Sequence, residues 1–201
     1  VIEIWNNVFM QFNRLKDGTL ELLPAKHVDT GMGLERLVRV LQGKTSNYDT
    51  DLFMGTIHAT EKLTGHTYKG TDERSDVAFR VIADHLRAIS FTIADGQLPS
   101  NTGAGYVIRR ILRRAVRYYY SFLDAKKPLL HELVPVLAQQ FAKVFPELQQ
   151  QVDFVKKVVY EEENNFLRTL ESGIRRIEDV ITNASSKSID GKTAFELYDT
   201  Y

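Results

Sequence analysis

Residues 29–37 read DTGMGLERL, and this short stretch lies between two different sequence patterns. Before it, residues 1–28 are rich in β-branched and aromatic side chains, which favour extended chain. After it, from Leu34 onward, apolar residues recur at helical spacing until Gly43 supplies a stop signal. The stretch therefore predicts the junction between a strand and the first of a series of helices.

The residues before the junction predict a hairpin. Lys16, Asp17 and Gly18 form a turn signal between the runs VIEIWNNVFMQF and TLELLPAKHV. No further region has comparable strand character. The predicted fold class is therefore mainly α with a small antiparallel β segment at the N-terminus.

The rest of the chain is predicted to be helical, with Ser75 as the N-cap of one helix and residues 97–105 as a loop. The apolar repeat of the long final helix has one break, around residues 161–163. The predicted helices cover residues 34–43, 51–63, 76–94, 106–122, 129–144, 146 to about 182, and 193–198.

Composition excludes several kinds of site. The formal net charge is +0, so nucleic-acid binding would need a local basic patch. There is no cysteine, and the five histidines lack metal-ligand spacing, so we predict no protein-made metal site. No apolar run reaches membrane-spanning length and no signal peptide is visible, which favours a cytoplasmic protein without membrane contact. Because the chain begins at Val1 rather than Met, we expect a piece of a longer protein.

The glycine-rich junction has the residue types of a small-molecule site. Gly31 and Gly33 would let a ligand approach the backbone, and the helix start that follows favours an anion. Asp29 could hold an ammonium group, while Arg36 could stack on a base or grip phosphate. The alternative is a plain strand–turn–helix with glycines for packing and Glu35–Arg39 as a surface i,i+4 pair. Spacing alone favours this alternative because a lone G-x-G is common, and the stretch matches neither a P-loop nor a dinucleotide fingerprint.

A second candidate site lies on the predicted helix 106–122. It carries Arg109, Arg110, Arg113, Arg114 and Arg117 without an acid among them, which suits a phosphate backbone. The alternative is a partly buried helix whose arginines pair with neighbouring acids, for example those of residues 161–163. The residues alone leave these two interpretations balanced.

Asn101 precedes this helix in the stretch PSNTGAG. An asparagine in a loop is usually a turn former or a cap. Its amide can also donate and accept at a base edge in the shallow minor groove of double-stranded RNA.

Several longer strings together carry a family resemblance. They are EIWNNVFMQFNR (residues 3–14), LPAKHVDTGMGLERL (23–37), RVIADHLRAISFTIADGQLPSN (80–101), GYVIRRILRRAVR (105–117) and ELYDTY (196–201). In this order they resemble the alanyl-tRNA synthetase family, and GMGLER resembles motif 3 of the class II synthetases. The resemblance covers nearly the whole chain.

The resemblance implies both a domain organisation and a function. Residues 1–45 would be the C-terminal part of a class II catalytic domain, and residues 46–201 a helical domain that recognises the tRNA acceptor stem. The enzyme would activate alanine with ATP and Mg²⁺, then transfer it to tRNA(Ala). Motifs 1 and 2 lie upstream in the family, so this chain would need the rest of its polypeptide for catalysis.

The resemblance also assigns residues to the two small substrates. Asp29, Gly31 and Asn6 would bind alanine. Arg36, Gly33 and Glu3 would bind ATP, with the Arg36 side chain against the adenine. No acid or base residue is assigned, because both reaction steps depend on positioning and charge neutralisation.

For tRNA, the resemblance implies that Asn101 and Asp199 read a G·U wobble pair at the third position of the acceptor stem. The tRNA-binding arginines would be Arg109, Arg110, Arg113, Arg114 and Arg117. Ala104 departs from the family, which usually has Arg there.

Two readings of a different class stay open. One is a non-catalytic helical RNA-binding or scaffold module. The other is a structural helical module whose long final helix forms a coiled-coil arm, although the break around residues 161–163 weakens it.

Overall fold

The computed structural model describes residues 1–183 and 188–200, without the side chains of residues 183 and 198–200. The backbone separates into two compact units, Val1–Met54 and Gly55–Tyr201. The fold is mainly helical with one two-stranded antiparallel sheet near the N-terminus, which confirms the predicted fold class. The predicted domain division at residue 45 stays a prediction.

The sheet of the first unit is the predicted hairpin, formed by β1 (Trp5–Arg14) and β2 (Leu20–Met32). Its turn needs the glycine, because Gly18 has φ +89°, and the Asp17 carboxylate accepts a 3.0 Å hydrogen bond from the Thr19 amide. The second strand is longer than predicted. Residues 29–32 belong to it, because they pair with residues 5–8 of the first strand.

Helix α1 (Leu34–Leu41) follows the hairpin, with Gly33 at its N-cap position. A short 3₁₀ turn (Asn47–Asp49) then leads into α2 (Asp51–Thr64), which Gly65 closes with φ +74°. The division between the two compact units falls within α2.

The second unit is built from helices that bury a shared apolar core. Helix α3 packs against α4, and the long α7 packs against α4 and α5. The helices are α3 (Arg74–Ala94), α4 (Gly103–Phe122), α5 (Leu130–Phe141), α6 (Pro146–Gln150), α7 (Val152–Asn183) and α8 (Gly191–Thr200). Fully buried core residues include Phe79, Ile82, Leu86, Leu112, Tyr119, Leu133 and Leu137.

Several predicted helix boundaries were wrong. Helix α5 ends at Phe141 rather than at residue 144, and α8 covers residues 191–200 rather than 193–198. Helix α3 begins at Arg74, so Ser75 is not its N-cap; the buried Asp76 instead accepts hydrogen bonds from the loop residues Lys69 and Thr71. Helix α4 begins at Gly103, so the loop before it ends earlier than predicted. Pro146 opens the separate short helix α6 rather than the long one.

The predicted break around residues 161–163 does not interrupt α7. Glu163 is fully buried there and accepts hydrogen bonds from the Tyr119 hydroxyl (2.9 Å) and the His131 Nδ1 (3.2 Å). It also accepts from the backbone N–H groups of Leu129, Leu130 and His131 at 2.7–3.0 Å, which are otherwise unpaired at the start of α5. The Glu163 carboxylate of α7 is therefore hydrogen-bonded to both α4 and α5.

The same carboxylate changes the titration of its partners. Burial, followed by the charge of Glu163, raises the pKa of the Tyr119 hydroxyl. The hydrogen bond to Glu163 raises the pKa of His131.

Among the described helices, none combines the length and apolar character that crossing a bilayer requires.

Candidate functional site

The residues predicted to bind alanine lie on one face of the hairpin. Asn6 pairs with Gly31 and Val8 pairs with Asp29, so the side chains of Asn6 and Asp29 project from the same side. A Cβ atom on Gly31 would lie 3.0 Å from the Asn6 Oδ1, so glycine leaves room for that amide. The Asp29 carboxylate is exposed and accepts a 2.9 Å hydrogen bond from the Thr30 amide.

The residues predicted to bind ATP meet where the hairpin joins α1. The Gly33 amide donates to the Ile4 carbonyl at 3.0 Å, and the Arg36 Nη1 donates to the Glu3 carbonyl at 3.0 Å. The Arg36 side chain covers Gly33, where a Cβ atom would lie 3.2 Å from the Arg36 Cδ. Glu3 is thus held through its backbone, which leaves its exposed carboxylate and the exposed Arg36 available to a ligand.

The arginines of α4 divide into two groups. Four of the five line a cleft of about 470 Å³ between α3, α4 and α7, which we call the arginine cleft. His85 of α3 and Phe166 of α7 complete its charged and aromatic lining. The four cleft arginines are Arg110, Arg113, Arg114 and Arg117.

Aromatic rings rather than acids support the cleft arginines. In the part of the chain that the structure describes, no carboxylate lies within ion-pair distance of these four guanidinium groups. The guanidinium-to-ring distances are 5.1–5.8 Å for the pairs Arg110–Tyr106, Arg113–Phe166, Arg114–Tyr118 and Arg117–Tyr118. Their hydrogen-bond donors therefore remain available for an anion.

An acid also lies beside His85, which lines the cleft. The Asp84 carboxylate contacts the His85 Nδ1 at 2.9 Å, and this hydrogen bond, with smaller contributions from Arg87 and Arg114, lowers the pKa of Asp84. The other ring nitrogen of His85, Nε2, is buried without a hydrogen-bond partner, as is the Arg113 Nε. The cleft thus contains polar groups that the described residues do not satisfy.

The loop that carries Asn101 is packed tightly onto the first turn of α4. The Ser100 amide donates to the Gly105 carbonyl at 3.0 Å, and the Ser100 hydroxyl donates to the Thr102 carbonyl at 2.7 Å. A Cβ atom on Gly105 would lie 2.4 Å from both the Leu98 carbonyl oxygen and the Ser100 Oγ. Only glycine fits there without moving the loop.

Arg109 lies outside the arginine cleft and forms an ion pair. Its Nε and Nη2 donate to the two carboxylate oxygens of Glu162 at 3.0 and 2.6 Å, and its Nη1 donates to the Asn101 Oδ1. For this arginine the structure shows the acid pairing that the alternative interpretation predicted. The sequence did not assign Glu162, His85 or Phe166 to a site; only the acidic run at 161–163 gave a signal, for Glu162.

Asp199 is the one predicted tRNA contact whose side chain lies outside the described residues. Its backbone belongs to α8, which begins after Asp190; the Asp190 carboxylate accepts a 3.0 Å hydrogen bond from the Thr193 amide. An ion pair of 3.6 Å between Arg176 and Glu196 links α8 to α7. The proposed role of Asp199 stays a prediction.

Comparison with known proteins gives a consistent family. A family model described as tRNA synthetases class II (A) matches residues 1–201. The alignments cover the whole length of this chain. Over that length the alanine–tRNA ligase of Cytophaga hutchinsonii is 63% identical to it, that of Parabacteroides distasonis 59%, and that of Flavobacterium psychrophilum 56%. The chain covers 23–24% of these three proteins, so it spans about a quarter of the length of the curated relatives it matches.

Proposed function

The chain belongs to the class II (A) family of tRNA synthetases, and we propose that it is part of an alanine–tRNA ligase. It would supply the motif 3 region of the catalytic domain, within residues 1–45, and acceptor-stem recognition, within residues 46–201. The observation that carries the proposal is a combination on one helix and the loop before it: four cleft arginines that form no ion pair with a carboxylate among the described residues, and an asparagine amide held by Arg109.

The hairpin and α1 would bind the small substrates. The Asp29 carboxylate would bind the ammonium group of alanine, with Gly31 leaving space and the Asn6 amide lining the pocket. Arg36 would stack on the adenine of ATP above Gly33, while Glu3 would contact the ribose or the Mg²⁺ that accompanies ATP. The shared strand face and the contact between Arg36 and the Glu3 backbone support this grouping.

In both reaction steps the role of these residues would be to position charged groups. The alanine carboxylate attacks the α-phosphate of ATP and pyrophosphate leaves. The terminal hydroxyl of tRNA then attacks the adenylate and AMP leaves. Holding the ammonium group and the adenine fixes the reacting atoms relative to each other, so no general base is assigned. The family places motifs 1 and 2 upstream of the region that this chain resembles, so we expect no adenylate formation by residues 1–201 alone.

The helical residues would bind the acceptor stem of tRNA(Ala). The exposed Arg110, Arg114 and Arg117 of the arginine cleft would contact phosphates, which gives affinity without base selectivity. Asn101 and Asp199 would read the G·U wobble pair. The partners are then tRNA(Ala), alanine, ATP with Mg²⁺, and the rest of the same polypeptide, in the cytoplasm where translation takes place.

Binding to two RNA hairpins tests the proposal. The chain would be titrated by fluorescence anisotropy with acceptor-stem hairpins that differ only in a G·U or a G·C pair at the third position, each at two salt concentrations. We expect tighter binding to the G·U hairpin and weaker binding of both at high salt. Equal affinity would show that these residues do not select the pair, and absence of binding would contradict an RNA-binding role.

A further inference from the structure

The guanidinium group of Arg109 has different partners from those of the neighbouring arginines on α4. Nε and Nη2 face the Glu162 carboxylate at 3.0 and 2.6 Å, and Nη1 faces the Asn101 Oδ1. The Arg109 and Glu162 side chains are only 19% and 17% exposed. A guanidinium that is neutralised by a fork of two hydrogen bonds and mostly buried contributes little charge to a phosphate backbone.

The hydrogen bond from the Arg109 Nη1 determines the orientation of the exposed Asn101 amide. An asparagine amide has one acceptor oxygen and one NH₂ donor, and it can turn by 180° to exchange them. With Oδ1 engaged by Arg109, the NH₂ group is the end that faces solvent. A partner of Asn101 must then be an acceptor atom, such as a carbonyl oxygen or ring nitrogen at a base edge.

We propose that Glu162 and Arg109 form a positioning pair that fixes the Asn101 amide with its donor outward, so that it recognises an acceptor on a base edge. In this arrangement Glu162 orients Arg109, and Arg109 orients Asn101. Neither charged residue contacts RNA itself. The RNA partner rests on the proposed function, whereas the orientation of the amide does not.

The backbone contacts of the loop complement this pair. Ser100 and Gly105 hold the main chain on either side of Asn101 against α4. They leave the Asn101 side chain to be fixed separately, and the bond from Arg109 does so. Removing the pair should therefore loosen the amide without displacing the loop.

Nuclear magnetic resonance of the free chain tests the orientation without RNA. The side-chain NH₂ signals of Asn101 would be assigned by their loss in Asn101→Ala, and the ¹H–¹⁵N heteronuclear NOE would report their order. We expect an ordered amide in the unmodified chain and in Glu161→Gln, the matched control on an exposed residue of the same helix. Arg109→Ala and Glu162→Gln should lower this NOE. An equally ordered amide in all four proteins would overturn the proposal.

RNA binding provides the second readout. Arg109→Ala should reduce the preference for the G·U hairpin by about two- to tenfold, the range expected when one side chain must be ordered on binding. The slope of log K against log salt should not change. If Arg109 were a phosphate contact, the slope would instead fall by about 0.9 while the preference stayed the same, and that result would overturn the proposal.

Two further variants complete the comparison. Arg110→Ala, in the arginine cleft, should weaken both hairpins equally and lower the slope. Asn101→Asp keeps an acceptor toward Arg109 but has no donor, so it should lose the preference; a retained preference would overturn the donor assignment. If the unmodified chain shows no G·U preference, the proposed function fails, and the amide order alone then decides the positioning pair.

Discussion

Because Gly105 has no side chain, the Asn101 loop can pack directly against α4. The loop passes so close to α4 that the Leu98 carbonyl and the Ser100 hydroxyl occupy the space of a Cβ atom. The same residue, read from the sequence, favours a loop, because glycine is a poor helix former. The requirement for close packing outweighs that preference here, and Gly105 lies within the first turn of α4.

Gly105→Ala should therefore displace the loop. We expect a loss of about 1–3 kcal/mol in the free energy of unfolding, as for other overpacked sites, together with a reduced G·U preference. Urea unfolding and hairpin binding measure the two effects. Gly191→Ala is the control, since nothing lies within 4 Å of its Cβ position; equal behaviour of the two variants would contradict the packing argument.

At the scale of elements, the start of α5 depends on a residue of another helix. Three of its first backbone N–H groups bind Glu163 of α7 rather than a local cap. His131 lies between this carboxylate and that of Glu132, whose Oε1 is 2.9 Å from its Nε2, while Lys156 opposes its protonation. The net effect raises the pKa of His131 in the folded chain, with the Glu163 hydrogen bond as the largest cause.

This shift predicts a pH dependence of stability. Because the folded pKa of His131 lies above the unfolded one, its contribution is fully present below the unfolded pKa and disappears as pH rises through the folded pKa. The free energy of unfolding should thus fall more steeply for the unmodified chain than for His131→Gln as the pH rises above about 6.5, the ordinary pKa of histidine. Urea unfolding across that range measures it, and parallel curves for the two proteins would refute the linkage.

The elements also show what the sequence could predict and what it could not. The hairpin followed from Asp17-Gly18 and β-rich flanks, but the extension of β2 through Met32 depends on pairing with β1, which one strand does not reveal. Glu163 was read as a break in the apolar repeat, because a buried carboxylate needs donors that only tertiary structure brings. Local patterns predicted the helices; their exact starts depended on packing.

For the two candidate sites, too, the sequence could predict one part of the arrangement and not another. The residue types at the glycine-rich junction and on α4 made both places candidates, but only the family resemblance favoured a site over the structural alternatives. The separation of Arg109 from the cleft arginines was not visible, since all five lie on adjoining faces of one helix. Tertiary structure distinguishes Arg109, which pairs with Glu162 of α7, from Arg113, which lies against Phe166 of α7. The other three arginines lie against tyrosines of α4 itself.

For the whole molecule, the central claim is a division of labour within a chain of zero formal net charge. The arginine cleft would provide salt-sensitive affinity for any acceptor stem, and the Asn101 loop would provide selectivity. Because the cleft arginines and Asn101 are different side chains, the two functions should be separable by single substitutions.

The most direct test measures Asn101→Ala and Arg114→Ala side by side, each with the G·U and G·C hairpins over a range of salt concentrations. We predict that Asn101→Ala abolishes the preference but keeps the salt slope. Arg114→Ala should keep the preference, weaken both hairpins, and lower the slope by about 0.9. If each variant lost preference and slope to the same extent, the division of labour between the loop and the cleft would be wrong.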